Sequence, residues 1–272
     1  MKRRFSAHSR KFSVICGLLF LLDVPRLLLG EPTAAATGAF DLYARSVEVR
    51  LAQQHHSPNY FVLFSSGSKS EEMYLRQGEV IVERVWPPSD IHLSGALLHH
   101  WRGTAFAPGV RAKDFERLMR DFNSYPKHFA PQVLQARASV QGGGRMQAWM
   151  RVRQKHVITV VMDAAYDVNF GRLDMEHGYS ISRSTRIDEV DSPGTKNEHI
   201  LSADEEHGFL WRQNTYWSYE ERDGGLYLQI ESVSLTRAIP TGLGWAIRPY
   251  VESIPRESLE FTLRSACNAL RK

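Results

Sequence analysis

From Ser94 onward the hydrophobic positions fall into regular runs. GALLHHWRGTAFAPG predicts a strand. VRAKDFERLMRDFNSYPKHF predicts a helix that gathers Phe115, Leu118, Met119 and Phe122 on one side and ends in a turn at Tyr125-Pro126. Strand patterns then follow almost without interruption. Val133 to Gln141 closes at Gly142-Gly143-Gly144, Arg145 to Gln154 and Val157 to Phe170 read as a hairpin, and His177 to Val190 leads into a loop over Asp191 to Asn197. Phe209 to Arg222 turns at Asp223-Gly224-Gly225 into Leu226 to Pro240. Links this short make adjacent strands antiparallel. The last segment carries Leu259, Leu263, Ala266 and Leu270 as an apolar helical stripe, with Pro249 and Pro255 marking a kink or a fresh helix start. The order predicts an α+β fold, a curved antiparallel β-sheet wrapped around a long C-terminal helix.

Before Ser94 the pattern is weaker. Phe40 to Gln54 is consistent with a helix, NYFVLF precedes a polar stretch, and Glu79 to Trp86 reads as a short strand closed by Pro87-Pro88. Residues 37–92 are therefore read as an N-terminal extension to a domain spanning 93–272.

The strand LYLQIESVSLTRAIP has one face that begins as Leu226, Leu228 and Ile230 and continues as Ser232, Ser234 and Thr236. A two-residue turn over Asp223-Gly224 or Gly224-Gly225 pairs these positions with Trp211, Gln213, Thr215, Trp217 and Tyr219 of the preceding strand. That face is too aromatic for solvent and too hydroxylated for a dry core, and it has the make-up of a ligand wall. The opposite face, with Arg212, Asn214, Ser218, Glu220, Gln229, Glu231 and Arg237, reads as solvated. By the same alternation Ser180, Ser182, Ser184, Arg186 and Asp188 form a polar outward face, so Tyr179, Ile181, Arg183, Thr185 and Ile187 point inward. The apolar sets of the two neighbouring strands are Ile158, Val160, Met162, Ala164 and Tyr166, and Met146, Ala148, Met150 and Val152. Thioethers repack around irregular shapes, which suits an adaptable pocket.

DFERLMRDFNSYPKHFAP, FLWRQNTYWSYEER, and LYLQIESVSLTRAIPTGLGW leading into IPRESLEFTLRSACNAL resemble the START-like helix-grip superfamily over roughly residues 93–272. That superfamily includes lipid-transfer START domains, birch-pollen-allergen-like proteins, coenzyme Q-binding proteins and polyketide cyclases. The resemblance implies a cavity between sheet and closing helix. Its expected wall is Met150, Met162, Tyr166, Tyr179, Arg183, Trp211, Gln213, Thr215, Trp217, Ile230, Ser232 and Ser234. Arg183 would be a charge on that wall, either ion-paired with Glu257 or Glu260 or bound to a ligand's carboxylate or headgroup.

The charge is unevenly placed. The chain carries a net +4, and residues 1–36 alone hold six Lys and Arg against two acids, so the remainder is balanced. A neutral body argues against nucleic acid as a partner. The N-terminal MKRRFSAHSRKF precedes the apolar run Val14 to Leu22, and Ala34-Ala35-Ala36 offers a small-residue cleavage site. Residues 1–36 therefore read as a signal peptide for export to the periplasm or outside, with an uncleaved membrane anchor as the alternative. The cysteines are Cys16, in the leader, and Cys267, read as a small apolar helix residue.

Metal and nucleotide chemistry find no pattern. His99 and His100 are adjacent in a strand and point to opposite faces, and no HExxH, CxxC, GxGxxG or G-x-S-x-G accompanies them, so they read as surface or interface residues. No cofactor is implied. For the cyclase- or hydrolase-type alternative, Tyr166, Tyr179 and Arg183 are the inner candidates, Asp163 and Asp167 fall on the other face, and a general base is missing unless His177, His128 or a closing-helix carboxylate supplies it. The expectation is an exported carrier of a lipid, isoprenoid or quinone with possible membrane contact during ligand exchange. The alternatives are the enzyme and an envelope interaction protein docking through residues 37–92.

Overall fold

The computed structural model describes residues 30–57, 62, 69–85, 93, 95–155, 158–239 and 244–271, with the side chains of 244–252 outside that description. Leader residues 1–29, NYFVLF apart from Val62, and Pro87-Pro88 lie outside the described residues.

The chain runs α1 (Ala34–His55), α2 (Lys69–Arg76), β1 (Ile81–Arg84), β2 (Ala96–Pro108), α3 (Ala112–Arg120), a 3-10 turn (Phe122–Ser124), α4 (Tyr125–His128), β3 (Val133–Gly142), β4 (Arg145–Lys155), β5 (Thr159–Arg172), β6 (His177–Asp191), β7 (His199–Ile200), β8 (Arg212–Arg222), β9 (Gly225–Arg237) and α5 (Gly244–Leu270). The nine described strands make one open, curved antiparallel sheet in the order β1-β2-β9-β8-β6-β5-β4-β3, with β7 on the end of β6. With α5 across its inner face, this is a helix-grip α+β fold. α5 is continuous through both prolines.

Turn chemistry sets the register. Asp223 and Gly224 both take positive φ, 59° and 74°, the two-residue hairpin geometry that Gly and Asp adopt most readily. The pairs run from Arg222 with Gly225 to Arg212 with Leu235, the odd-sum register expected from the sequence.

Among the described residues a large core forms on the inner face, and a second core and a smaller cluster of Val62, Leu75, Phe106 and Tyr227 form on the outer face. On the inner face, Phe115, Leu118 and Met119 of α3 and Leu259, Leu263, Ala266 and Cys267 of α5 pack on Trp217, Tyr219, Leu226, Leu228 and Ile230. Phe115 sits edge-on to both Trp217 and Tyr219, each with ring centroids 5.2 Å apart. Gly103 of β2 makes room for α5, since a Cβ there would lie 2.7 Å from the Leu263 Cδ1.

The outer face is not the solvated surface that its polar residues suggested. α1 lies across it, starting at Thr33, whose hydroxyl accepts from the Ala36 amide at 3.1 Å. Phe40, Tyr43, Ala44, Val47 and Leu51 recur at helical spacing and pack with Leu98, Trp211, Tyr216, Val233 and Leu235 as a second core. Asn214, Ser218, Gln229 and Glu231 are consequently buried. The described parts of residues 37–92 thus contribute a helical cover and the edge strand β1, which pairs with β2.

Candidate functional site

The inner face divides along the strands. Around α3 and the last turns of α5 it is dry core. Further along, aligned positions on β2, β9, β8, β6 and β5 become polar.

The register places His99 opposite Ser234 and Ser234 opposite Gln213. The Gln213 backbone N–H donates to Ser184 Oγ at 2.9 Å, and Ser184 lies opposite Tyr166. One polar row, His99–Ser234–Gln213–Ser184–Tyr166, therefore crosses five strands. The adjacent row is Trp101–Ser232–Thr215–Ser182. Hydrogen bonds tie the rows together. Tyr166 Oη donates to Gln213 Oε1 at 3.1 Å, and Gln213 Nε2 donates to Ser232 Oγ at 3.3 Å. His99 Nε2 lies 3.1 Å from Thr236 Oγ1.

The groups of the principal row are uncharged. Burial holds the Tyr166 phenol far above its ordinary range. Burial, followed by the nearby Arg84 charge, pushes the His99 pKa down to about 4. Three polar atoms on this face, His99 Nδ1, Trp101 Nε1 and Ser180 Oγ, are buried without a hydrogen-bond partner among the described residues. Met162, Tyr166, Trp217, Ile230, Ser232 and Ser234 are buried, whereas Met150, Gln213 and Thr215 keep intermediate exposure. The described side chains of α5 that reach the inner core begin at Leu259.

Nine of the twelve wall residues expected from the sequence share this face. Three do not. Tyr179 and Arg183 point outward, Tyr179 stacking on the His55 ring of α1 at 4.7 Å and Arg183 donating from Nε and Nη2 to the two Glu48 carboxylate oxygens at 2.7 Å each. The cause is a bulge in β6: Ala165 pairs with Arg186 and Tyr166 with Ser184, leaving Thr185 unmatched. Beyond it Ile187 returns inward to the main core. Before it the parity is inverted, so Ser180, Ser182 and Ser184, read as an outward face, line the inner wall. Arg183 thus has neither a closing-helix partner nor a place on the wall. The third exception is Trp211, which precedes β8 and belongs to the outer core, its Nε1 donating to the Gly30 carbonyl at 2.7 Å.

His99 and His100, which the sequence pattern reads as surface or interface residues, are both buried, on opposite faces of the sheet. His99 is the principal inner-wall group missed. The signal for it was available, because it alternates with Trp101 and Gly103 on the strand that the register sets beside β9. His100 sits beneath α1, with Nε2 2.8 Å from Glu231 Oε2 and Nδ1 2.8 Å from the Tyr43 hydroxyl. Arg50 also reaches the Glu231 carboxylate. Tyr43, His100 and Glu231 have the connectivity of nucleophile, base and orienting acid, but they are 9%, 1% and 1% exposed and closed off by α1. Their role is to satisfy a buried carboxylate, whose pKa the His100 and Arg50 contacts draw below the ordinary range despite its burial.

A cleft of about 520 Å³ opens on the outer side of β3, β4 and β5, where Arg137 stacks over Trp149 at 4.2 Å. Its lining is mostly outward-facing, with Arg137, Gln147, Trp149 and Asp167, and reaches the inner-wall strand positions Ala148 and Tyr166. Among the described residues no three His, Cys, Asp or Glu side chains are grouped to hold a metal ion, and no helix is long and apolar enough to cross a membrane.

No family model and no curated protein matches this chain in sequence. Solved structures with related folds are START and birch-pollen-allergen-like proteins. They include the Zhui aromatase/cyclase from Streptomyces sp. R1128, with TM-score 0.46, 10% identity and 64% of this chain and 94% of that one covered. A STAR-related lipid transfer protein fragment from Xanthomonas axonopodis gives TM-score 0.42 and 14% identity over 70% of this chain and 99% of that one. Human STARD10 gives TM-score 0.42 and 8% identity over 75% and 80%. The helix-grip description of this chain stands on its own sheet order and the seat of α5.

Proposed function

We propose that the protein is an exported carrier or binder of a hydrophobic small molecule, a lipid, isoprenoid or quinone, seated on the inner face of the sheet beneath α5. One observation carries this reading. The inner wall passes from dry core into two hydrogen-bonded polar rows flanked by Met150, Met162 and Val152, a pattern that serves an apolar body with a polar end. The leader pattern supports export.

The enzyme reading gains one group from the structure, His99, but a pKa of about 4 makes it a weak base at neutral pH. Tyr166, at the other end of the row, is held protonated. Both favour binding over acid–base catalysis.

Native mass spectrometry with lipid extraction, on protein expressed with its own leader and recovered from the envelope fraction, tests the reading. A stoichiometric co-purifying apolar molecule, lost in a Gln213→Arg variant that retains its fold, is the expected result. A folded protein that emerges empty and takes up no lipid contradicts it.

A further inference from the structure

The polar rows leave two specific atoms unused, and together they describe the head of the bound molecule. His99 is 3% exposed, and its ring orientation follows from its partner. We assign the tautomer in which the Thr236 hydroxyl donates to the Arg237 carbonyl at 3.4 Å and its oxygen accepts from His99 Nε2–H at 3.1 Å. Nδ1 is then a bare lone pair, buried and without a partner among the described residues. Trp101 stands two residues along the same face of β2, and its Nε1–H, also buried and without a partner among the described residues, can only donate. Positions two apart on a strand have Cα atoms roughly 6–7 Å apart. One oxygen can lie within hydrogen-bond distance of groups at both.

The wall therefore presents one unused acceptor beside one unused donor. A ketone or quinone oxygen would satisfy Trp101 and leave His99 bare. An ionised carboxylate is acceptor-only, so it would satisfy Trp101 but set a lone pair against the lone pair of His99 Nδ1. Arg84 stands opposite Trp101 at the sheet edge, and its charge disfavours a protonated His99. A hydroxyl group does both tasks, donating to His99 Nδ1 and accepting from Trp101 Nε1–H.

Resting on the carrier reading above, we infer that the bound molecule is an uncharged, long apolar alcohol whose hydroxyl is held between His99 and Trp101. Its hydrocarbon body then runs along the Ile230, Met162 and Met150 side of the wall.

The full chain is titrated with hexadecanol, hexadecyl methyl ether and palmitate, each delivered from cyclodextrin, with intrinsic tryptophan fluorescence as the readout. Hexadecanol should bind at least about tenfold tighter than either of the others, since neither the ether nor ionised palmitate has a proton to donate to His99 Nδ1. His99→Phe should bring the alcohol down to the affinity of the ether and leave the ether unchanged, and Trp101→Phe should weaken both oxygens alike. Palmitate or the ether binding as tightly as the alcohol overturns the head-group assignment while leaving the carrier reading in place. An unchanged alcohol affinity in a folded His99→Phe protein does the same. Failure of all three probes to bind overturns both.

Discussion

The Arg183 guanidinium grips the Glu48 carboxylate through two hydrogen bonds of 2.7 Å, joining the middle of β6 to the middle of α1. Tyr216 donates to the same carboxylate at 3.3 Å. The pair decides a functional point, because it takes the one charge expected on the inner wall and places it on the outer face under the helix. Arg183→Gln and Glu48→Gln should each cost about 1–2 kcal/mol, a range kept modest because the arginine is 40% exposed. Ligand affinity should not change. Chemical denaturation together with the hexadecanol titration checks both halves, and an arginine variant that loses ligand without losing stability would return Arg183 to the wall.

α1 should behave as part of the folded unit. Phe40 is fully buried, so Phe40→Ala should cost about 3–5 kcal/mol. The same packing bears on processing. Ala36 is fully buried, Thr33 caps the helix, and the Gly30 carbonyl accepts from the buried Trp211 indole. Removal of residues 1–36 would strip the cap, the first helical turn and this acceptor, leaving a buried N–H unpaired at about 1–3 kcal/mol. Any cleavage should therefore fall at or before Gly30. Intact mass of the protein recovered from cells that express it with its leader reads the N-terminus directly, and a stable, full-affinity species beginning at residue 37 would contradict the assignment.

Stability should fall on mild acidification. His55, whose Nε2 lies 2.8 Å from Ser218 Oγ, and His99 both have pKa values lowered from 6.5 to about 4, with burial the leading cause. Between about pH 6.5 and 4 the unfolded chain binds protons at these sites that the folded chain does not. Their contribution is thus complete above 6.5 and lost as pH drops toward 4, by a few kcal/mol in all. His207 and Glu206 work in the opposite direction: the bond to Glu189 raises the His207 pKa and burial raises that of Glu206 to about 7, so their contributions are present below the unfolded values and lost as pH rises through the folded ones. Thermal unfolding from pH 7.5 to 4.5 should show a decline that is shallower in His55→Gln. An equal decline in that variant would remove His55 from the account.

Residues on the two faces should separate by assay. Gln213→Leu removes the acceptor of Tyr166 and the donor to Ser232, and should shift ligand affinity several-fold with a stability cost of about 1–3 kcal/mol. Trp211→Phe removes the bond to Gly30 and should lower stability while sparing affinity. The reverse pattern would mean that the polar row is structural.

These contrasts show what the sequence made legible. The Asp223-Gly224 turn gave the β8–β9 register, and with it the placement of Gln213, Thr215, Trp217, Ile230, Ser232 and Ser234. The triple glycine after β3 likewise marked a hairpin, with positive φ at Gly142, Gly143 and Gly144. Strand alternation failed at β6 because one bulged residue, Thr185, inverts every side chain before it, and nothing local in HGYSISRSTRIDEV marks that position. The outer face was misread for a different reason. Glu231, Gln229 and Asn214 have the chemistry of surface residues, and only the helix packed over them, itself partly polar through Glu48, Arg50 and His55, makes them interior. His99 is not legible from its own strand, because its adjacency to His100 points to metal chemistry and only the register across β2, β9 and β8 sets it in the polar row.

The central claim is that the inner face, and not the outer cleft beside Trp149, receives the apolar molecule. Photocrosslinking tests it most directly: a long-chain alcohol with a diazirine in its tail is irradiated with the full chain, and adducts are mapped by residue. Competed adducts on Met150, Met162, Gln213 or Thr215 are the predicted result. Adducts confined to Arg137, Gln147 or Trp149, or absent above the uncompeted background, would contradict it.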